Sequence, residues 1–563
     1  MCPCKARNRR TTNGISRFRN AARVQKDRQD AVRDLFSGYL IFLFESGKQG
    51  NQICPALRFV SGACIVRFFS PGGDAVLNFN SLQYYLFLPG ALLAYFALPA
   101  RWKNRALLLL SYFFYMCWEA RYALLMLLST CITYWCALLT ERRALGRHKL
   151  WVVLSLLINL GILFFFKYFN FTAALISDLL TAAGLSVSPP ALRVLLPVGI
   201  SFYTFQALGY TIDVYRGDMA AERRFSDYAL FVSFFPQLVA GPIERSGNLL
   251  PQLKQAHRFS FQNLHHGAVY VLWGLFKKIA IADWMGVLAD GAYGAPLETV
   301  TGAQYLVGTV AFALQIYCDF SAYSDIAVGS ARMLGIRLMR NFDAPYLALS
   351  IRDFWRRWHI SLSSWFKDYL FFPMGGSRGK TGRTCLNLLV LFAVSGLWHG
   401  ADLTFVAWGL INGLYMAAGT LLRPVTARLG ARLAVRRGGR LLDLFRWLVT
   451  LLLTCFSWIF FRAASLSQAL AIVSKIARSP FSGLSLAGIS QLGLSLRQLG
   501  ALAVFTLVLF GADFFGRGRN PAEKISGTVF LRYAVYLALI AACLIFGYYG
   551  PEFDPRAFQY FQF

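Results

Sequence analysis

Two histidines stand in apolar, tryptophan-rich sequence and are the first candidates for chemistry. His359 lies in RDFWRRWHISLSSWF and His399 lies in VSGLWHGADLTFVAWG. Ionisable side chains are costly in segments that cross a membrane, so they usually serve a function there. Histidine can also remain neutral near physiological pH, which suits a general base. Proton transfer by these two side chains is therefore the leading chemical hypothesis.

Each histidine also has a structural explanation. His399 could be a buried residue that hydrogen-bonds to a neighbouring helix, and Gly396 and Gly400 leave room for backbone or substrate to approach. The segment around His359 could be an amphipathic helix at the membrane surface. Its tryptophans would then lie at headgroup level and its arginines would face anionic lipid: Trp355, Trp358, Trp365, Arg352, Arg356 and Arg357.

Two carboxylates also fall inside a long apolar stretch. Asp319 and Asp325 lie in QIYCDFSAYSDIAVGSARMLG. They could orient a histidine or form part of a proton path. Equally, they could hold helices together as ion-pair partners of Arg332 or Arg356.

Other catalytic and metal-binding patterns do not occur in the sequence. The four remaining histidines lie in polar segments, and the cysteines lack metal-ligand spacing, so we expect no metal site. There is no G-x-S-x-G motif, which argues against an ordinary serine hydrolase. Gly379-Lys380-Thr381 ends like a phosphate-binding loop, but Met374 occupies the required first glycine position.

The composition indicates which kind of protein must position these residues. Of 563 residues, 56% are apolar and 15% are charged, whereas soluble proteins carry about 25% charged residues. A net charge of +30 is compatible with a protein that binds nucleic acid. A content of 56% apolar residues and 50 Phe does not fit a nucleic-acid-binding surface, so we expect no nucleic-acid partner. The composition predicts an all-α polytopic membrane protein with about ten or more spans of roughly 20 residues each.

Apolar runs separated by short basic or Gly/Pro-bearing connections predict the spans. Residues 229–243 are the best candidate for re-entrant backbone, which is tolerated only where protein or a water-filled cavity satisfies its peptide groups. The predicted spans are 82–99, 105–117, 122–140, 150–168, 194–212, 267–289, 303–330, 386–398, 402–422, 443–461, 499–515 and 529–548.

Basic residues predict the orientation of these spans. Residues 423–440 contain six Arg and no acid, and such loops lie on the cytoplasmic side. The basic loops 141–149 and 375–383 should share that side. The turn 397–401, which carries His399, would then point toward the outer face or into a cavity that opens there.

Residues 1–75 differ from the rest of the chain. They hold 13 basic and 5 acidic residues and 4 of the 11 Cys, without a periodic pattern. We expect a basic leader that is either disordered or a gene-start error, with translation beginning near Val76 or Leu77. The membrane domain is then residues 76–563.

Several motifs in order resemble the membrane-bound O-acyltransferases, in the branch of the bacterial alginate O-acetyltransferases. They are LPVGISFYTFQALGYTIDVYRG (196–217), FFPQLVAGPIER (234–245), the segment 315–378 with NFDAPY and RRWHISLSSWF, and LWHGADLTFVAWG (397–409). The resemblance implies a ring of about 10–12 helices with re-entrant segments around a central funnel. Its core motifs span 196–409, and extra C-terminal spans follow at 443–548.

The resemblance also implies roles for individual residues. His399 matches the active-site histidine of the family, and His359 matches its second functional histidine. The substrate or donor channel would include Asp319, Asp325, Arg356, Arg357, Trp355, Trp358 and Trp398.

The activity implied by the resemblance is transmembrane O-acetyl transfer in a bacterial cytoplasmic membrane. Cytoplasmic acetyl-CoA would be the donor, with no bound cofactor, and an extracytoplasmic glycan hydroxyl would be the acceptor, reached directly or through an SGNH-type partner transferase. The alternative within the family is D-alanyl transfer to teichoic acid. The alternative from another class is a polytopic transporter, which should show two related halves, whereas the sequence shows no internal repeat.

Overall fold

The fold is helical throughout the part of the chain that the structure describes. The computed structural model describes residues 79–142, 146–185, 192, 195–239, 241–424, 439–517 and 528–547. No β-strand occurs in these ranges, which confirms the prediction of an all-α polytopic protein. The predicted leader, residues 1–75, lies outside the described residues.

Twenty α-helices, numbered in chain order, are found within those ranges, and π-helical turns follow three of them. The π-turns are Phe164–Tyr168 after α3, Lys277–Ala282 after α9 and Lys367–Phe371 after α13. The helices are α1 (Leu82–Ala97), α2 (Ala100–Glu141), α3 (His148–Leu163), α4 (Phe169–Ala182), α5 (Ile200–Arg216), α6 (Phe225–Ser233), α7 (Phe235–Leu238), α8 (Ser246–Leu253), α9 (Phe261–Phe276), α10 (Asp283–Tyr293), α11 (Gly302–Met333), α12 (Ile351–Arg357), α13 (Ile360–Phe366), α14 (Thr381–His399), α15 (Leu403–Leu421), α16 (Arg440–Arg462), α17 (Leu466–Arg478), α18 (Leu486–Ser490), α19 (Leu496–Phe515) and α20 (Val529–Phe546).

Eight helical stretches in the described ranges are long and apolar enough to cross a membrane. The predicted spans 105–117 and 122–140 both belong to α2, which is bent where Glu119 leaves the helical conformation (φ −160°, ψ 109°). The predicted span 150–168 continues through the π-turn into α4. The predicted spans 82–99, 194–212 and 267–289 form shorter or interrupted helices.

Burial separates a central helix from peripheral ones. In α11, 83% of the most apolar stretch is buried, against 17% in α19 and 11% in α20. In a membrane, apolar surface can face lipid without penalty, so exposed apolar helices belong at the periphery. The predicted C-terminal spans therefore add to the rim and leave α11 at the centre.

The predicted re-entrant stretch, 229–243, is broken and buried. Helix α6 ends at Ser233, and the four-residue helix α7 begins at Phe235 after a non-helical turn at Phe234. Side chains along both short helices are buried in protein. Broken backbone at membrane depth requires such surroundings.

Helices α14 and α15 form a close hairpin that ends beside His399. A Cβ added at Gly409 would overlap the carbonyl oxygen of Phe392, and one added at Gly396 would overlap that of Phe405. The hairpin therefore depends on glycine for its close approach. The sequence analysis considered that Gly396 leaves room for either backbone or substrate. The structure places the backbone of Phe405 there.

Substitution of Gly409 tests this packing. Gly409→Ala should destabilise the detergent-purified protein by about 1–3 kcal/mol, because the hairpin must open to accept the methyl group. Gly419→Ala is the matched control, since it lies on the same helix with no atom within 4 Å of the added Cβ. Thermal unfolding of both variants measures the difference, and equal midpoints would contradict close packing.

Candidate active site

The structure brings the two singled-out histidines together. The ring centroids of His359 and His399 lie 6.4 Å apart, although the residues belong to different helical segments. Their side chains are buried, with relative exposures of 1% and 7%. The site therefore has two imidazoles close enough to act on one bound group.

An unusual backbone conformation presents His359. This residue has φ 44° and ψ 55°, in the left-handed region, and immediately precedes α13. Non-glycine residues adopt this conformation infrequently, and strained residues cluster at functional sites. The amide of Ile360 donates to the carbonyl of Asn341 at 2.9 Å, which ties this turn to the preceding loop.

The side chain of Asn341 determines the tautomer of His359. Its Oδ1 accepts from the backbone amide of Ser361 at 3.2 Å and from the Ser361 hydroxyl at 2.7 Å. A backbone N–H can only donate, so this atom must be the amide oxygen. Nδ1 of His359 lies 3.2 Å from the same oxygen and must carry a proton. In the neutral ring, Nε2 is then the acceptor nitrogen.

Variants of Asn341 test this positioning role. Asn341→Leu should lower acyl transfer by about 10- to 100-fold, the range seen when the hydrogen-bond partner of a functional histidine is removed. Asn341→Asp should shift the pH profile, because a carboxylate favours the imidazolium form. Ser361→Ala is the control, since it removes the hydroxyl bonds to Oδ1 and to the Ile243 amide but leaves the Asn341 side chain that faces Nδ1 of His359. Equal effects of all three variants would point to a general packing defect.

Aromatic rings surround both imidazoles. Phe320 meets His359 edge to face at 4.6 Å. Trp398 and Trp408 lie 5.0 and 5.2 Å from His399, measured between ring centroids. This lining excludes water and strengthens electrostatic interactions at the site.

A small cavity opens beside His399. Its volume is about 70 Å³, and it is lined by residues 196–202, Lys167, Val239, Trp398 and His399. Nζ of Lys167 donates to the carbonyls of Trp398 at 2.7 Å and His399 at 3.1 Å. The cavity thus combines a base, a cation and the N-terminal end of α5.

A second cavity lies at the other end of α5. Its volume is about 320 Å³, and Arg216, Arg245 and Tyr369 are among the residues that line it. Helix α5 has 17 residues and is therefore about 25 Å long, somewhat less than the roughly 30 Å hydrocarbon core of a bilayer. The two cavities lie at its opposite ends. Arg223, shortly after α5, pairs with Glu141 at 2.5 Å, which places this end beside the last residue of α2, where the predicted cytoplasmic loop begins.

The tryptophans predicted for the site pack inside the protein. Trp398 lies against both histidines, 6.1 Å from His359 and 5.0 Å from His399, while Trp355 packs on Trp408 at 5.8 Å. Trp358 and Trp365 are only 2% and 8% exposed. The membrane-surface alternative for this segment is therefore wrong for its tryptophans, because protein covers them.

The two predicted arginines differ in their surroundings. Arg356 is exposed. Arg357 pairs with Asp353 at 3.0 Å and donates to the carbonyl of Asp343 at 3.3 Å. Arg357 thus joins α12 to the loop that carries Asn341, which helps to position His359.

Asp319 and Asp325 have partners that the sequence analysis did not identify. Asp319 pairs with Lys278 at 2.7 Å, and Asp325 pairs with Lys277 at 2.8 Å. Lys278 also pairs with Asp283 at 2.9 Å. The expected pairing with Arg332 or Arg356 is replaced by lysines of a π-turn, because that turn directs both ammonium groups at the buried face of α11.

These ion pairs hold the helix that supports His359. Phe320, next to Asp319, contacts the imidazole, and the Ser324 hydroxyl accepts from Nδ2 of Asn341 at 3.0 Å. The two acids therefore form ion pairs that fix α11. Of the predicted site residues, the structure brings Trp398 and the two histidines together.

Sequence reasoning missed Lys167, Lys277, Lys278 and Asn341. The lysines are cations within or beside apolar runs, a signal that marks function in membrane segments. Asn341 belongs to the NFDAPY motif, but its side-chain partners come from two other segments of the chain, one with Ser324 and one with His359 and Ser361.

Comparisons with known proteins agree with this architecture. Residues 221–462 match the model of the membrane-bound O-acyltransferase family. The probable alginate O-acetylase AlgI of Pseudomonas aeruginosa is 38% identical over 78% of this chain and 81% of its own length. The peptidoglycan O-acetyltransferase of Helicobacter pylori is 34% identical over 71% and 79%. A teichoic acid D-alanyltransferase of Streptococcus thermophilus is 28% identical over 38% and 55%.

Proposed function

The chain belongs to the membrane-bound O-acyltransferase family, and from that premise we propose that it transfers acetyl groups across a bacterial cytoplasmic membrane. The donor is cytoplasmic acetyl-CoA, and the final acceptor is a hydroxyl of an extracytoplasmic glycan. The observation that carries this proposal is the pair of imidazoles 6.4 Å apart, with cavities at opposite ends of the adjacent helix α5. The donor thioester and the acceptor hydroxyl then reach the histidines from opposite ends of α5, and only the small, neutral acetyl group is exchanged between them there.

In the proposed reaction, His399 removes the proton from the acceptor hydroxyl. The hydroxyl oxygen bonds to the acetyl carbonyl carbon, and the carbon–sulfur bond breaks as the CoA thiolate leaves. A general base of this kind contributes about 10²- to 10⁴-fold to the rate. Neutral His359 presents an acceptor nitrogen at Nε2, so we assign it to positioning or accepting a proton rather than to protonating the leaving thiolate.

We assign the donor to the cavity at the C-terminal end of α5, which is lined by two arginines and also by Asp213, Asp218 and Asp368. Arg216 and Arg245 lie over the ring of Tyr369, 5.1 and 4.6 Å from its centroid. Arg245 also pairs with Asp368 at 2.7 Å, which leaves Arg216 as the more available charge for a phosphate. Arg356 and Lys380, on the predicted cytoplasmic side, would add positive charge.

The acceptor side follows from the relatives. Those with high coverage are named for O-acetylation of alginate and peptidoglycan. We therefore propose a glycan acceptor, reached through an SGNH-type transferase on the outer face. D-alanyl transfer is less well supported, because the D-alanyltransferase match covers only 38% of this chain.

Sealed vesicles of known orientation test the proposal. Labelled acetyl-CoA is supplied only to the cytoplasmic face, and label is measured on acceptors at the other face. Transfer from that face, and none when acetyl-CoA is supplied to the other face alone, supports the proposal. Transfer from a D-alanyl thioester but not from acetyl-CoA would favour the alternative donor.

A further inference from the structure

Lys167 is a partly buried cation at the candidate site that the reaction described above does not use. It lies in the π-turn Phe164–Tyr168, surrounded in sequence by aromatic residues. Its ammonium group donates to the carbonyls of Trp398 and His399 and lines the same cavity as the His399 side chain. Among the described residues, no Asp or Glu forms an ion pair with it.

The simplest role for Lys167 is to cap a helix. Its two acceptors are carbonyls at the C-terminal end of α14, where the helix dipole favours a cation. Capping uses two of the three N–H groups of an ammonium ion. Removing an ammonium group from water even in part costs free energy. A neutral donor could cap the same carbonyls, so capping alone does not explain why a lysine occupies this position.

The opposite wall of the cavity is also electropositive. Helix α5 begins there, after Gly199 in the left-handed conformation with φ 73°. The first turn of a helix carries partial positive charge, and Ile200, Ser201 and Phe202 are among the residues that line the cavity. A base thus faces a space with positive charge on two sides. Such surroundings suit the negative charge that develops on the carbonyl oxygen during acyl transfer.

We propose that Lys167 stabilises the oxyanion formed when the acyl group is transferred, an inference that rests on the proposed function. As the acceptor oxygen bonds to the carbonyl carbon, its proton passes to His399 and the carbonyl electron pair moves onto the carbonyl oxygen. The Lys167 ammonium donates to that oxyanion. When the carbonyl re-forms, the thiolate leaves with the electron pair of the carbon–sulfur bond and takes the proton from His399.

Three variants separate this role from capping. Lys167→Met removes the charge and both hydrogen bonds, Lys167→Gln keeps a hydrogen-bond donor without charge, and Lys167→Arg keeps the charge. We expect kcat to fall by about 10²- to 10³-fold in the Met and Gln variants, with the KM for acetyl-CoA little changed. Arginine should recover at least about tenfold of the loss, because it restores a charged donor.

Lys103→Met is the matched control for these variants. Nζ of Lys103 donates to the carbonyl of His257 at 2.7 Å, a similar bond away from the histidine pair. This variant should keep the wild-type kcat even if it melts at a lower temperature. All variants are assayed well below their unfolding temperatures, so that a loss of folded protein is not scored as a loss of kcat.

Two results would overturn the inference: a wild-type kcat in Lys167→Met, or recovery of kcat by Lys167→Gln, which would show capping. If wild-type protein does not use acetyl-CoA, the proposed donor fails rather than this inference. The Lys167 variants are then compared with the thioester that the wild type accepts, since an oxyanion forms in any acyl transfer.

Discussion

Replacing His399 by alanine should lower acetyl transfer by about 10²- to 10⁴-fold or more, because the acceptor hydroxyl loses its general base. The imidazole lies at the cavity beside Lys167 and 6.4 Å from His359. No other imidazole lines that cavity. The measurement is the rate of label transfer in vesicles that contain equal amounts of folded protein.

His265→Ala is the control for the loss of a histidine. Its Nε2 hydrogen-bonds to the hydroxyl of Tyr536 at 3.2 Å, outside the active site, so its activity should remain near wild type. His399→Asn retains a polar side chain of similar size and should be nearly as inactive as the alanine variant. If either His399 variant keeps more than about a tenth of wild-type activity, the general-base assignment is wrong.

Replacing Lys278 by methionine should destabilise the protein by about 3–5 kcal/mol, because it leaves buried carboxylates without their counter-ion. Lys278 contacts Asp319 at 2.7 Å and Asp283 at 2.9 Å, and its side chain is 2% exposed. Unfolding of the detergent-purified variant by heat or denaturant measures the loss.

Arg446→Met is the control for an exposed pair. Arg446 meets Asp443 at 3.4 Å, and its side chain is 44% exposed, so its removal should cost about 0–1 kcal/mol. The double variant Lys278→Met, Asp319→Asn should recover part of the stability, since it removes one of the unpaired charges. Equal losses for Lys278→Met and Arg446→Met would show that the buried network contributes little.

The Lys278 network also bears on activity. Asp319 precedes Phe320, which contacts His359, and Ser324 on the same helix accepts from Asn341. Displacing α11 would therefore disturb the tautomer and position of His359. We therefore expect Lys278→Met to lower activity as well as stability.

Much of the architecture could be predicted because it depends on local properties of the chain. A run of apolar residues must lie in lipid or protein whatever its partners are. Nine of the twelve predicted stretches accordingly lie in the eight helical stretches that are long and apolar enough to span a membrane, two of them in α2. The sequence analysis predicted two spans where the structure has the single bent helix α2. The weakly apolar residues around Glu119 indicate an interruption, but they do not distinguish a helix end from a bend.

Parts of the candidate site could be predicted for a similar reason. A histidine in an apolar segment is costly, so His359 and His399 are exceptional in composition alone. Motif resemblance then assigned them to one reaction. Neither observation gives the distance between the two histidines, and the sequence was also compatible with a position of the His359 segment on the membrane surface.

Only the tertiary structure decided which residues meet. Lys277 and Lys278 reach α11 because a π-turn redirects them, and Lys167 reaches the carbonyl of His399 from a segment distant in the chain. Partners of this kind are selected by the packing of whole helices, and any of several cations satisfies the same local pattern. The sequence by itself thus determined that the chain spans a membrane and contains two exceptional histidines. Close packing and the need to satisfy buried polar groups determined their geometry.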